Sequence, residues 1–226
     1  MQAIMISIQP QWFKKILNGE KTIEIRKTMP KCELPCKVYI YCTKAKPTLQ
    51  YFYNWGNYKP ISECSTWAAG STINAGEYGN GKIVAEFTLK TIDEYEFELW
   101  DDNTYESIGK VYYDIETGER EVDVFESDED IEKTELAKDS NLTRPQLRQY
   151  LGTGFRTCFA WHIDDLVVYD KPKELSEFYS LKKCDSCKKS GYESAACRYD
   201  EDCKIPIQIT RPPQSWCYVE EIWKNI

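Results

Sequence analysis

The stretch Gly19-Glu20-Lys21-Thr22-Ile23-Glu24-Ile25-Arg26 constrains this chain more than any other, because the residue period changes across it. Upstream, Pro10 to Asn18 (PQWFKKILN) predicts a helix. Pro10 suits the first helical position, where its missing N–H costs nothing. Trp12/Ile16 and Phe13/Leu17 form i,i+4 apolar pairs on one stripe. Gly19 is a natural stop, since it takes the left-handed conformation that ends helices without a steric penalty. Downstream, Thr22 to Lys27 alternates with period two, placing Ile23 and Ile25 on one face of a strand and Thr22, Glu24 and Arg26 on the other. Lys21 is out of phase with that face and is expected to project from the turn. One helix, one glycine and one strand thus gather an amine, a carboxylate and a guanidinium. The bland alternative is a solvated strand face with a Glu24–Arg26 pair worth about 0–1 kcal/mol.

What the three groups would do depends on pairing. A lysine partly desolvated beside Arg26 has a lowered pKa and can act as base or nucleophile. A lysine held by Glu24 stays charged and suits anion binding. Both pairings are open in the sequence.

The rest of the chain alternates strands with short helices. Strands are expected at Ala3–Ile8, at Lys37–Thr43 with Tyr39 and Tyr41 on one face, at Lys82–Leu89, and at Ser215–Glu221. Val111 to Phe125 reads as a hairpin around Glu116-Thr117-Gly118-Glu119. Cys158 to Tyr169 reads as one long strand, bent at Asp164-Asp165. Helices are expected over Ser127–Asp139, over Thr143–Gly152 with Thr143 as N-cap, and over Pro172–Tyr179. No βαβ spacing occurs, so the pattern fits a mixed α+β barrel better than a doubly wound sheet. The segment Pro47–Asn80 has no sustained period and carries Tyr51, Tyr53, Trp55, Tyr58 and Trp67, which would cover the barrel or stack on a base.

Composition matters here through its distribution. The net charge of −8 argues against a nucleic-acid partner, but 19 acids and 4 bases lie between Asp93 and Asp139. The remainder holds 18 acids and 25 bases, a mildly basic body of +7 carrying an acidic insert. One domain over residues 1–226 is expected, with that insert at about 93–139 and a Cys-rich segment at about 181–205. No apolar run is long enough to span a bilayer and the N-terminus lacks signal-peptide features, so a cytoplasmic protein with no membrane contact is expected. In that compartment the 10 cysteines are expected as thiols or metal ligands. Cys184, Cys187, Cys197 and Cys203 form C-x2-C-x9-C-x5-C in a polar segment with little apolar surface to order it, which suits a structural zinc site. Cys32, Cys36 or Cys217 could replace a member, and uncoordinated thiols or a disulfide are the alternative. His162, the sole histidine, is expected to be packed or hydrogen-bonded and not catalytic. No Ser–His–Asp set, P-loop or G-x-G-x-x-G motif is legible.

The pattern G-x-K-x-x-E-x-R after a short helix resembles the signature of the ASCH domain, a PUA-like β-barrel family, and every signature position matches. Further stretches are similar to a branch of that family found in Firmicutes and their phages: Ile6–Pro10, Lys37–Lys44, Gly81–Phe87, Tyr150–Gly152, Trp161–Ile163, Tyr169–Leu175 and Arg211–Val219. The acidic stretch is outside the likeness. The resemblance implies a PUA-like mixed barrel that binds RNA or a nucleotide in a cleft beside Lys21, Glu24 and Arg26. Trp161 or Trp55 would stack on a base there. Some small ASCH-like bacterial proteins are amidohydrolases that deacetylate N4-acetylcytidine through the motif lysine, and others have been assigned ribonuclease activity. The amidohydrolases carry a threonine where this chain has Glu24, so Lys21 is a catalytic candidate only under that alternative. A third reading makes the acidic insert a nucleic-acid mimic or docking surface.

Overall fold

Two open β-sheets, joined through a bent ribbon, carry the chain. The computed structural model describes residues 3–46, 51–54, 57–60, 79–99, 105–125, 134–152, 157–183 and 204–221. Edge to edge, the larger sheet runs β11 (Asp164–Lys173), β6 (Ile83–Leu89), β3 (Cys36–Cys42), β1 (Ala3–Ile8), β14 (Trp216–Glu221), β12 (Phe178–Lys183) and β13 (Lys204–Gln208). The smaller runs β2 (Ile23–Arg26), β10 (Thr157–His162), β7 (Ile92–Leu99), β8 (Tyr105–Tyr113) and β9 (Arg120–Phe125). β4 (Tyr51–Asn54) and β5 (Asn57–Pro60) form a separate hairpin. Three helices are described: α1 (Pro10–Leu17), α2 (Glu135–Ser140) and α3 (Arg144–Leu151).

The central strands are apolar because both faces are covered. On one face of the larger sheet, Ile4, Ile6, Val38 and Ile40 pack with Phe13 and Ile16 of α1. On the other, Met5, Tyr39 and Tyr41 pack with Phe178 and Val219. The smaller sheet buries Ile23, Ile25, Tyr95 and Phe97 against Leu136 of α2 and Leu147 and Leu151 of α3.

The sheets meet at a corner built from backbone. β6 continues beyond Lys90 and Thr91 as β7, and β10 continues beyond Ile163 as β11. β6 pairs with β11 and β7 with β10, so the four strands are one antiparallel ribbon bent between sheets. The turn is fixed by the His162 N–H on Thr91 O (3.1 Å) and by Asp165 at φ 49° beside a register shift.

The expected barrel is corrected to open sheets. Closure would require β2 to find a second partner, and the strands ending opposite it, β1 and β14, pair with each other. The single strand expected from Cys158 is divided at Ile163. The helix expected over Pro172–Tyr179 is instead the end of β11, a 3-10 turn at Leu175–Glu177 and the start of β12. Pro172 is tolerated there because β11 is an edge strand. The helix expected from Ser127 begins after Thr134, whose hydroxyl accepts from Ala137 N, and residues 126–133 lie outside the described residues. The acidic stretch contributes β7, β8 and β9 of the smaller sheet. Trp55, Trp67 and the four cysteines from Cys184 to Cys203 lie outside the described residues, among which no metal-binding cluster occurs.

Candidate functional site

The turn after α1 aims Lys21 inward. Gly19 takes φ +72°, and its N–H bonds Ile16 O (3.0 Å) while that of Glu20 bonds Lys15 O (2.9 Å). This double closure is a Schellman ending. The Lys21 N–H reaches Lys15 O as well (3.2 Å), which turns its side chain beneath the helix. There Lys21 Nζ donates to Ser140 O (3.0 Å) at the end of α2 and pairs with Glu24 Oε2 (3.2 Å). Only 3% of Lys21 is exposed. That burial lowers its pKa, with the Arg26 and Lys15 charges acting the same way and Glu24 opposing them. The α2–α3 turn is laced to the same place, since Lys15 Nζ donates to Asn141 Oδ1 and Asn141 Nδ2 donates to Glu20 O (3.4 Å).

Arg26 spans the place where the barrel fails to close. Nη1 donates to Ser215 O (3.2 Å) and Oγ (3.2 Å), while Nη2 donates to Ser7 O (3.0 Å) and pairs with Glu24 Oε1 (3.0 Å). The guanidinium therefore does with side-chain bonds what a strand ladder would otherwise do between β2 and the ends of β1 and β14. Its Nε is buried and has no partner among the described residues. Glu24, with 13% of its side chain exposed, holds both cations. The open question of pairing is answered: Glu24 engages Lys21 and Arg26 together, leaving a buried group of net charge +1.

A cavity of about 750 Å³ opens above this group. Lys21, Glu24 and Arg26 form its floor, with Trp12 of α1 and Gln146, Gln149 and Tyr150 of α3 among its walls. The Trp12 ring centroid lies 5.8 Å from Lys21 Nζ, and that of Tyr150 lies 5.4 Å from Lys27 Nζ. Burial raises the Tyr150 pKa, so its hydroxyl stays protonated at neutral pH. α3 is held by a capping box between Thr143 and Gln146, with Pro145 in its first turn. The arrangement can offer a planar ligand aromatic faces, amide groups and a buried cation.

The predicted residues divide clearly. Lys21, Glu24 and Arg26 come together, although the Arg26 Nη atoms are already engaged by protein oxygens. Trp161 does not join them and is corrected as a stacking residue. It is 0% exposed, with its ring 5.9 Å from Trp216, so it offers a ligand no face. His162 Nε2 lies 2.9 Å from Asp93 Oδ2, which also pairs with Lys110 (3.0 Å). Sequence reasoning missed Trp12 and Tyr150 as walls. Trp12 read as core stripe, and the helix bearing Tyr150 was placed without its partner surface.

The ASCH domain family model matches residues 6–138. Among solved structures the chain is similar to the crystal structure of ASCH from Zymomonas mobilis, with 14% identity, a TM-score of 0.45, and coverage of 96% of this chain and 87% of that one. A single-substitution variant of that protein gives the same identity and TM-score, covering 96% of this chain and 90% of that one. No curated protein matches the chain. The family match takes in more than half of the residues and includes the whole of the Lys21 turn, and the chain belongs to the ASCH domain family.

Proposed function

We propose that the cavity above Lys21, Glu24 and Arg26 binds RNA or a nucleotide, as a PUA-like module of the Firmicutes and phage branch working in the cytoplasm. The observation that carries this reading is the buried cationic group beneath a 750 Å³ cavity walled by Trp12 and Tyr150. A base between those rings gains about 1–3 kcal/mol from stacking. The amides of Gln146 and Gln149 offer donors and acceptors to its edge, and the +1 group draws the phosphate. Single-stranded RNA exposes bases that duplex DNA conceals. It is therefore expected to bind more tightly than duplex DNA in low salt, and Lys21→Ala is expected to weaken it at least about tenfold. Equal affinity for wild type and variant removes the cavity from consideration.

One observation favours an enzymatic second reading. Burial lowers the Lys21 pKa, and a lysine that gives up its proton more easily can serve as base toward an acylated nucleoside. Glu24, standing where the amidohydrolases have threonine, holds the ammonium in place and ranks this reading second. Conversion of N4-acetylcytidine to cytidine that Lys21→Ala abolishes would reverse the ranking.

For the cysteine-rich segment the proposal is one structural zinc held by Cys184, Cys187, Cys197 and Cys203. The support is their spacing and the scarcity of apolar residues around them. Elemental analysis of reductant-protected, chelator-free protein is expected to give one zinc per chain. Less than about a tenth of that contradicts it.

A further inference from the structure

We infer, resting on the reading just given, that the cavity is the first of two adjoining subsites and that the ligand is a single-stranded oligonucleotide. The next nucleotide lies in a second cavity beyond Ser7, Thr43 and Gln214. That second cavity, about 820 Å³, is bounded by Lys44, Ser176, Thr210 and the Pro212–Pro213 pair, and the three dividing residues line both cavities. Ser7 lines both cavities, and its carbonyl accepts from Arg26 (3.0 Å) while its hydroxyl donates to Pro213 O (2.6 Å). Thr43 is fixed by its N–H on Ile8 O (2.9 Å), and its hydroxyl is buried with no partner among the described residues.

Lys44 supplies the charge a linking phosphate needs. Its stem packs against Gly81, where an added Cβ would fall 2.9 Å from Lys44 Cε. Gly81 itself takes φ +84°. The neighbouring Lys82 is neutralised by Glu174 (3.1 Å), whereas Lys44 has no carboxylate partner among the described residues. Each cavity is of the size that holds one small ligand. A lone nucleoside fills one and leaves Lys44 idle, while a strand crossing the partition uses both and places its phosphate by Lys44. The prolines give the second base or sugar an apolar surface.

The test compares cytidine 5′-monophosphate with a mixed-sequence single-stranded RNA trinucleotide by calorimetry. Wild type is expected to bind the trinucleotide at least about tenfold more tightly. Lys44→Ala should remove most of that advantage and leave mononucleotide affinity unchanged, and Lys44→Arg should keep it. Ser176→Phe, which fills the second cavity without touching the first, should act as Lys44→Ala does. For Lys44→Ala the salt dependence of trinucleotide binding should fall by the about 0.7 expected for one lost phosphate contact. A mononucleotide that binds, with a trinucleotide no tighter than about threefold, overturns the second subsite alone. Equal weakening of both probes by Lys44→Ala overturns it too. If neither probe binds, the base-binding reading falls and this inference falls with it.

Discussion

The two places where the sheets meet are built in opposite ways. At the corner, β6–β7 and β10–β11 pass from sheet to sheet as one hydrogen-bonded ribbon, and the backbone does the joining. At the seam between β2 and the ends of β1 and β14, the joining is done by the Arg26 side chain, held in place by Glu24, which also pairs with Lys21. A ladder closes space completely, because strands lie within hydrogen-bonding distance along their length. Side chains span a gap and leave room above themselves. The cavity is that room, and the residues that hold the seam are the ones a ligand would meet.

The comparison breaks most visibly at Arg26. Arg26→Ala removes the bridge to Ser7 and Ser215 and leaves Glu24 with one cation, so a loss of about 3–5 kcal/mol is expected. At roughly 2–4 °C per kcal/mol for a chain of this size, the melting temperature should fall by about 6–20 °C. A fall below about 3 °C would mean that the seam does not depend on this side chain.

Lys21→Met should cost less, about 1–3 kcal/mol, by leaving Ser140 O without its donor. Its pH dependence is diagnostic. The folded pKa of Lys21 lies below the unfolded 10.5, so between the two values the unfolded chain holds a proton that the folded one has released. Stability from this group is complete above 10.5 and is lost as pH falls through the folded pKa. The stability difference between wild type and Lys21→Met, followed by denaturant melts, should therefore grow from neutral pH toward 10.5. A difference that is flat or shrinks over that range contradicts a depressed pKa.

Thr143→Ala removes the cap of α3, the helix carrying the Gln146, Gln149 and Tyr150 wall, and should cost about 1 kcal/mol. The smallest effect belongs to the corner. Asp165 is exposed at φ 49°, and Asp165→Gly keeps the backbone that forms the bend while deleting an exposed pair with Lys90. A change within about 0.5 kcal/mol is expected by the same melts. A loss as large as that of Arg26→Ala would erase the contrast between the two joints.

Much of the seam is legible in the sequence. Pro10, Gly19 and the alternation from Thr22 gave α1, its stop and β2, because each is a local backbone rule. The meeting of Lys21, Glu24 and Arg26 followed from the same turn. What could not be read was non-local. Whether β2 finds a second strand depends on how β1 pairs with β14, which lies almost two hundred residues further on, and the barrel expectation failed there. Trp161 alternates toward the core and not the cavity, a choice that depends on which sheet face α1 covers. Pro172 read as a helix start, yet an edge strand accepts it equally well. β7 was overlooked because its glutamates read as an insert, although Tyr95 and Phe97 alternate inward between them.

The central claim is that the side-chain-built seam is the ligand site. Photo-crosslinking of single-stranded RNA bearing 4-thiouridine, mapped by mass spectrometry, tests it most directly. Crosslinks are predicted at Trp12, at Tyr150 and on the peptide carrying Lys21, with Lys21→Ala reducing them together. RNA that crosslinks only to the β8–β9 hairpin or the outer edge at β13, with the Trp12 and Tyr150 peptides untouched, would contradict the account.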